Sequence, residues 1–186
     1  MELSAWAEDH ARRLLTPLGS RWKHAEAVAR AAREVGGGLT PGDAEVVIAA
    51  SFLHDIGYAP ELAVTGFHPL DGASHIRALG SERLAGLVAH HTRARHEAQV
   101  RGLDDALGEF GDEESSVTVA LAYCDLTTGP NGELMTREQR LADVETRYGK
   151  DSPVTIGMRA AWRGLMDDVA KVNVLLKQRR VVAQPR

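Results

Sequence analysis

The sequence predicts an all-α domain. Apolar residues recur at steps of three and four along most of the 186-residue chain, and alternating strand patterns are nearly absent. The spacing predicts a first helix from about Leu18 to Val35, ended by Gly36-Gly37-Gly38, with His24, Val28, Ala31 and Val35 on its inner face. Thr40-Pro41, a capping residue followed by proline, opens a second helix. It continues through the apolar run Val46 to Leu53 and ends near Gly57, which leaves His54-Asp55 at its C-terminal end. A loop from Tyr58 to Phe67 leads to His68-Pro69, where the proline suits the first turn of a short helix through Leu79 and sets His68 at its mouth. Another helix, from about Ser81 to His91, aligns Leu84, Leu87, Val88 and His91 on one face. Val117 to Asp125 is apolar until its last residue and reads as a buried helix. Gly129-Pro130-Asn131-Gly132 is a turn signal that can close one short hairpin within residues 127–135. Thr136 with Gln139 forms a capping-box pattern for a helix to about Tyr148, and Ser152-Pro153 opens a last one that can extend to Arg180. The stripe Val154, Met158, Trp162, Leu165, Val169, Val172 and Leu176 on that helix fits core packing better than a homodimer seam, which stays open as the alternative.

With no internal repeat and no boundary signal, residues 1–186 read as one domain, a motif-bearing core of about 21–125 with C-terminal helices of 136–180 packed on it. A chain of this size buries a core without a disulfide or a structural metal. The single cysteine, Cys124, reads as a packing residue, and no thiolate zinc site can form, so any metal must be held by His and carboxylate. The N-terminus lacks the basic flank and apolar run of a signal peptide, and no stretch approaches a membrane span; a cytoplasmic location without membrane partners is the expectation. A net charge of −4 argues against a nucleic-acid footprint and favours a small-molecule substrate.

A His-Asp dipeptide alone carries little, since eight His and 12 Asp in 186 residues give about half of one by chance. Its context carries more. His24, His54-Asp55, His90-His91 and Asp125 each fall on, or at the end of, an apolar helical segment, and polar groups aimed inward need partners. With His68 the set holds five His and two Asp, more than mutual pairing requires, and a metal cluster satisfies it better. Imidazole-rich sites with few carboxylates suit Mn, Fe, Co, Ni or Zn.

The order His, His-Asp, distant Asp, with the local strings Arg-Trp-Lys-His, Leu-His-Asp-Ile-Gly-Tyr and Ala-Tyr-Cys-Asp-Leu, resembles the HD superfamily of metal-dependent phosphohydrolases over roughly Arg21 to Asp125. The resemblance implies an HD-like helical bundle with His24, His54, Asp55 and Asp125 as shared ligands. His68, His90 and His91 match positions filled in two-metal branches, where Asp55 would bridge the ions. The chain departs from the cyclic-dinucleotide phosphodiesterases, because Thr92-Arg93-Ala94-Arg95-His96-Glu97 replaces their Gly-Tyr-Pro stretch. It departs from the alarmone hydrolases too, because Ile56-Gly57-Tyr58-Ala59-Pro60 stands where they carry Glu-Asp.

One or two ions would acidify a water and neutralise phosphoryl oxygens, so no Ser or Cys nucleophile is needed. Asp55, His91 and Arg21 form the expected catalytic set. Neighbours on a helix point about 100° apart, so His90 and His91 need not reach the same ion and one can contact phosphate instead. Arg21, one turn before His24, can clamp phosphate or form a surface ion pair; Arg93 and Arg95 can rim an anionic substrate or simply be solvated. His10, His75 and His96 read as solvent-facing or supporting residues. The expected activity is hydrolysis of a small phosphorylated metabolite or nucleotide, with an HD-type di-iron oxygenase or a non-catalytic nucleotide sensor as alternatives.

Overall fold

A computed structural model describes residues 2–182; residue 1 and residues 183–186 of the expected domain lie outside the described residues. Ten α-helices make up the described chain: α1 (Leu3–Leu15), α2 (Ser20–Gly36), α3 (Pro41–Leu53), α4 (His68–Ala78), α5 (Glu82–His90), α6 (Arg95–Arg101), α7 (Asp104–Gly108), α8 (Ser116–Leu126), α9 (Arg137–Tyr148) and α10 (Pro153–Val182). The all-α expectation holds. The hairpin anticipated at 127–135 is reduced to a single bridge between Thr128 and Leu134, closed by Gly129 N–H donating to the Glu133 carbonyl at 2.7 Å.

The anticipated caps are present where sequence chemistry demands them. The Thr40 hydroxyl accepts from Asp43 N–H, and Thr136 with Gln139 forms the reciprocal capping box of α9. Helices α1, α6 and α7 were not anticipated. α1 has no side-chain cap and buries only Ala7, Ala11 and Leu15, an apolar stripe of small residues that gives a weak signal by itself.

α3 and α8 form the middle of the bundle; α2 packs on both, α1 covers α3, and α5 carries the α4–α5 pair onto α3. α3 is apolar nearly all round and buries Val47, Ala49, Ala50, Phe52 and Leu53, as a central helix must. Ala25, Ala29 and Ala32 of α2 are fully buried, and such small side chains let helices approach closely. α10 lies against α6, α8 and α9, and its Ala161, Leu165 and Val169 close a second apolar cluster with Ala122 and Leu126 of α8. The long stripe on α10 is thus largely core.

On the outer side, His10 of α1 meets His75 of α4 with their Nε2 atoms 2.9 Å apart and their rings stacked. Burial, then His75 and Arg13, lower the His10 pKa against an opposing Asp9; burial lowers that of His75 against an opposing Glu61. The folded chain therefore takes up these protons less readily than the unfolded one. The contact contributes fully above pH 6.5 and is lost as pH falls below 6.5 through the lowered folded values. Acidification from pH 7.5 to about 5 is expected to lower the protection of α1 amides relative to their intrinsic exchange at each pH, and His75→Gln should weaken that dependence; an unchanged pH profile in the variant would refute the assignment.

Candidate metal centre

Two breaks in helical geometry build the centre. α3 ends at Leu53, and Asp55 leaves the helix at φ −101°, ψ 3° before a short 3-10 turn over Ile56–Tyr58. His54 and Asp55, neighbours that a continuous helix would splay apart, both reach the interior between α2, α4 and α8. α5 ends at His90, and His91 swings to φ −55°, ψ 144°. That break separates the adjacent histidines: His91 enters the centre, whereas His90 turns away and donates Nε2–H to the Phe110 carbonyl at 2.9 Å. The structure therefore brings together six of the seven expected ligands and leaves His90 outside.

The six form two groups that could each hold a metal ion, one of His24, His54 and Asp55 and the other of Asp55, His68 and His91. Asp55 belongs to both. Asp125 closes the first group, with Oδ1 3.0 Å from His24 Nε2 and 3.9 Å from His54 Nε2. In the second group, His68 Nε2 lies 3.4 Å from Asp55 Oδ1 and 3.2 Å from His91 Nε2.

Backbone carbonyls set the tautomers. The Nδ1–H groups of His24, His54 and His91 donate to the carbonyls of Gly129 (3.0 Å), Ser51 (2.8 Å) and Val88 (2.6 Å). A carbonyl can only accept, so in each neutral ring Nε2 carries a lone pair. The Nε2 atoms of His24 and His54 are 3.3 Å apart with carboxylate oxygens beside them. Facing lone pairs repel without a cation between them, so the donor set fits a metal ion better than it fits an internal hydrogen-bond network. Burial pushes the His54 imidazole down to about 4 against the opposing Asp55 and Asp125, which keeps it neutral as a ligand must be. Burial alone would raise the Asp55 carboxyl, but the adjoining His54 imidazole and the Arg21 guanidinium hold it far below the usual carboxylate range. Asp125 is likewise depressed against burial, by the adjacent His24 and by Arg140.

Around the ligands stands a shell that sequence reasoning partly missed. Arg21 donates to Asp55 Oδ2 at 3.0 Å and to the Tyr148 hydroxyl at 2.7 Å, so the anticipated phosphate clamp is tied to the centre itself. Its guanidinium lies 3.6 Å over the Tyr58 ring, which stacks at 4.0 Å on His68 and fixes that ligand's orientation. Thr92 donates to Asp125 Oδ2 at 2.6 Å and Arg140 to Oδ1 at 3.1 Å. Thr92, Arg140 and Tyr148 were not singled out, because nothing local distinguishes a threonine on a turn or an arginine on an amphipathic helix. Tyr58 stood within the quoted Leu-His-Asp-Ile-Gly-Tyr string without a role. Cys124 is buried and its thiol is pushed up to about 12, first by burial and then by Asp125 and Glu34, consistent with packing.

A cleft opens from Asp55, His68, His91 and Asp125 to the surface. Arg21, Arg140 and Arg147 give it a cationic side; Val144, Val154 and Met158 give it an apolar one. Arg93 also reaches it but is held by Asp168 through two hydrogen bonds of 2.9 Å. Arg95 is absent from its lining. The HD-domain family model matches residues 21–144, about two thirds of the chain. The chain belongs to the HD-domain family. No curated protein and no solved structure matches it. The matched span of this HD domain runs from Arg21, the first residue of the shell, to Val144 on the cavity wall, and encloses every one of the six converging ligands. Among the described residues no helix is long and apolar enough to cross a membrane.

Proposed function

We propose that this HD-domain protein is a metal-dependent phosphohydrolase acting on a small phosphorylated metabolite or nucleotide. The observation that carries the reading is one carboxylate, Asp55, shared by two ligand groups at the floor of a cavity whose adjoining side is cationic. The family consists mostly of metal-dependent phosphohydrolases, which supports the same reading. Bound ions, drawn from Mn, Fe, Co, Ni or Zn, would supply Lewis acidity and an acidified water.

The chain's own residues do the rest. Carbonyl bonds hold three imidazoles with Nε2 inward, and Arg21, tied to Asp55, and Arg147, tied to Asp143, line the cleft and would offer guanidinium N–H groups to phosphoryl oxygens. The Tyr148 hydroxyl faces the same space, held by Arg21. The apolar wall of Val144, Val154 and Met158 takes the remainder of the substrate and restricts water. A di-iron oxygenase would share the two-group ligand set, but the adjoining arginines favour a phosphorylated substrate.

The test is turnover of a panel of phosphorylated metabolites and nucleotides under strictly anaerobic conditions, with Mn, Co or Ni supplied. Phosphate or nucleoside should be released, and oxygen from labelled water should enter the product. Strict dependence on iron and dioxygen, with label entering from the gas, would replace this reading with the oxygenase. Absence of any turnover alongside tight nucleotide binding would favour a sensor.

A further inference from the structure

His90, turned away from the metal centre, faces a second recess. Its Nε2–H is used by Phe110, which leaves Nδ1 as an acceptor; that atom is buried without a hydrogen-bond partner, 3.8 Å from Asp112 Oδ2. The Thr118 hydroxyl is also buried and unpartnered. Both residues line a solvent-open recess between α8, α10 and the segment joining α7 to α8. A native interior seldom leaves a buried donor or acceptor unpaired, because each costs about 1–3 kcal/mol. Two such atoms on one recess are positions that a bound polar molecule would satisfy.

Charge around the recess says what kind of molecule. Arg93, Arg95 and Lys171 oppose Asp112, Glu114 and Asp168, so the lining is balanced in sign. It is also divided: Asp168 pairs with Arg93 and Lys171, whereas Asp112 stands beside His90. Arg95 is exposed, and no acid pairs with it among the described residues. An N–H donor fits between His90 Nδ1 and Asp112, while an anionic group fits the free guanidinium of Arg95. Beyond the pairs already made, the recess offers Asp112 and Glu114 against Arg95, so a ligand that carries both signs meets an opposite charge at each end.

We infer that this recess binds a small zwitterion of the α-amino-acid class, its ammonium held by His90 and Asp112, its hydroxyl partner Thr118, and its carboxylate held by Arg95. The site is separate from the metal ligands. It adjoins them through residues 91–93, where Thr92 and Arg93 take positive φ values of 51° and 57°.

The experiment is a thermal-shift and calorimetric titration of the full chain with each standard L-α-amino acid, with acetate and methylammonium as single-charge controls. At least one amino acid should raise Tm saturably, by roughly 5–10 °C at about a hundredfold excess over its Kd, while neither control does. Thr118→Val or Asp112→Asn should weaken that binding at least about tenfold without lowering the Tm of the unliganded protein or its metal content. Metal content and unliganded Tm report folding independently of binding. No shift with any amino acid, an equal shift with either control, or undiminished affinity in both variants would overturn the inference.

Discussion

Asp55→Ala is expected to strip the protein of bound metal and to lower turnover at least about a hundredfold, the upper range seen even for residues that only support metal ligands. The reason is geometric: Asp55 is the one residue common to both ligand groups, so its loss leaves His24, His54 and Asp125 in the first and only His68 and His91 in the second. The fold should survive. Arg21, deprived of its carboxylate, keeps the Tyr148 hydroxyl and the face of Tyr58, and its side chain is 23% exposed, so no charge is stranded in the core. Helical content by circular dichroism should match the parent while metal analysis falls toward zero. His68→Ala provides the contrast, because His68 belongs to the second group alone. It should lower the metal count from two toward one per chain and leave the ion at His24, His54, Asp55 and Asp125. Retained metal and near-parental activity in Asp55→Ala would remove the shared carboxylate from the account, and an unchanged count in His68→Ala would remove the second ion.

Gly57→Ala should be the most damaging change outside the ligands. A Cβ at Gly57 would fall 2.0 Å from the His68 carbonyl oxygen and 2.7 Å from the Gly72 nitrogen, both backbone atoms. Relief requires the Ile56–Tyr58 turn and α4 to separate, which drags His68 from Asp55 and Tyr58 from Arg21. Overpacking of a tight core costs about 1–3 kcal/mol, roughly 2–12 °C in Tm for a chain of this size. The second metal should weaken with it. Gly42→Ala is the control, since a Cβ there meets nothing within 4 Å. If both variants melt with the parent and bind equal metal, the close approach at Gly57 does not matter.

Much of this organisation was legible in the chain. Proline and threonine starts marked α3, α4, α9 and α10 because those residues have local reasons to begin helices. The convergence of His54, Asp55 and Asp125 was legible because a His-Asp pair and an aspartate, each ending an apolar helix, have no cheap alternative to meeting polar partners inside. α1 was not legible: a stripe of two alanines and a leucine becomes meaningful only once α3 lies beneath it.

The sequence by itself determined the fold class, the ligand chemistry and the family, since these follow from periodicity, residue type and order. Only the tertiary structure decided which of two adjacent histidines joins the candidate metal centre. His90 and His91 are indistinguishable as letters, and a backbone break at the end of α5 sends one to the metal centre and the other to a separate recess. The same holds for Arg140 and Thr92, which reach Asp125 from distant segments. Partners separated by 15 and 33 residues are set by how helices cross and turns close, and local pattern carries no information about either.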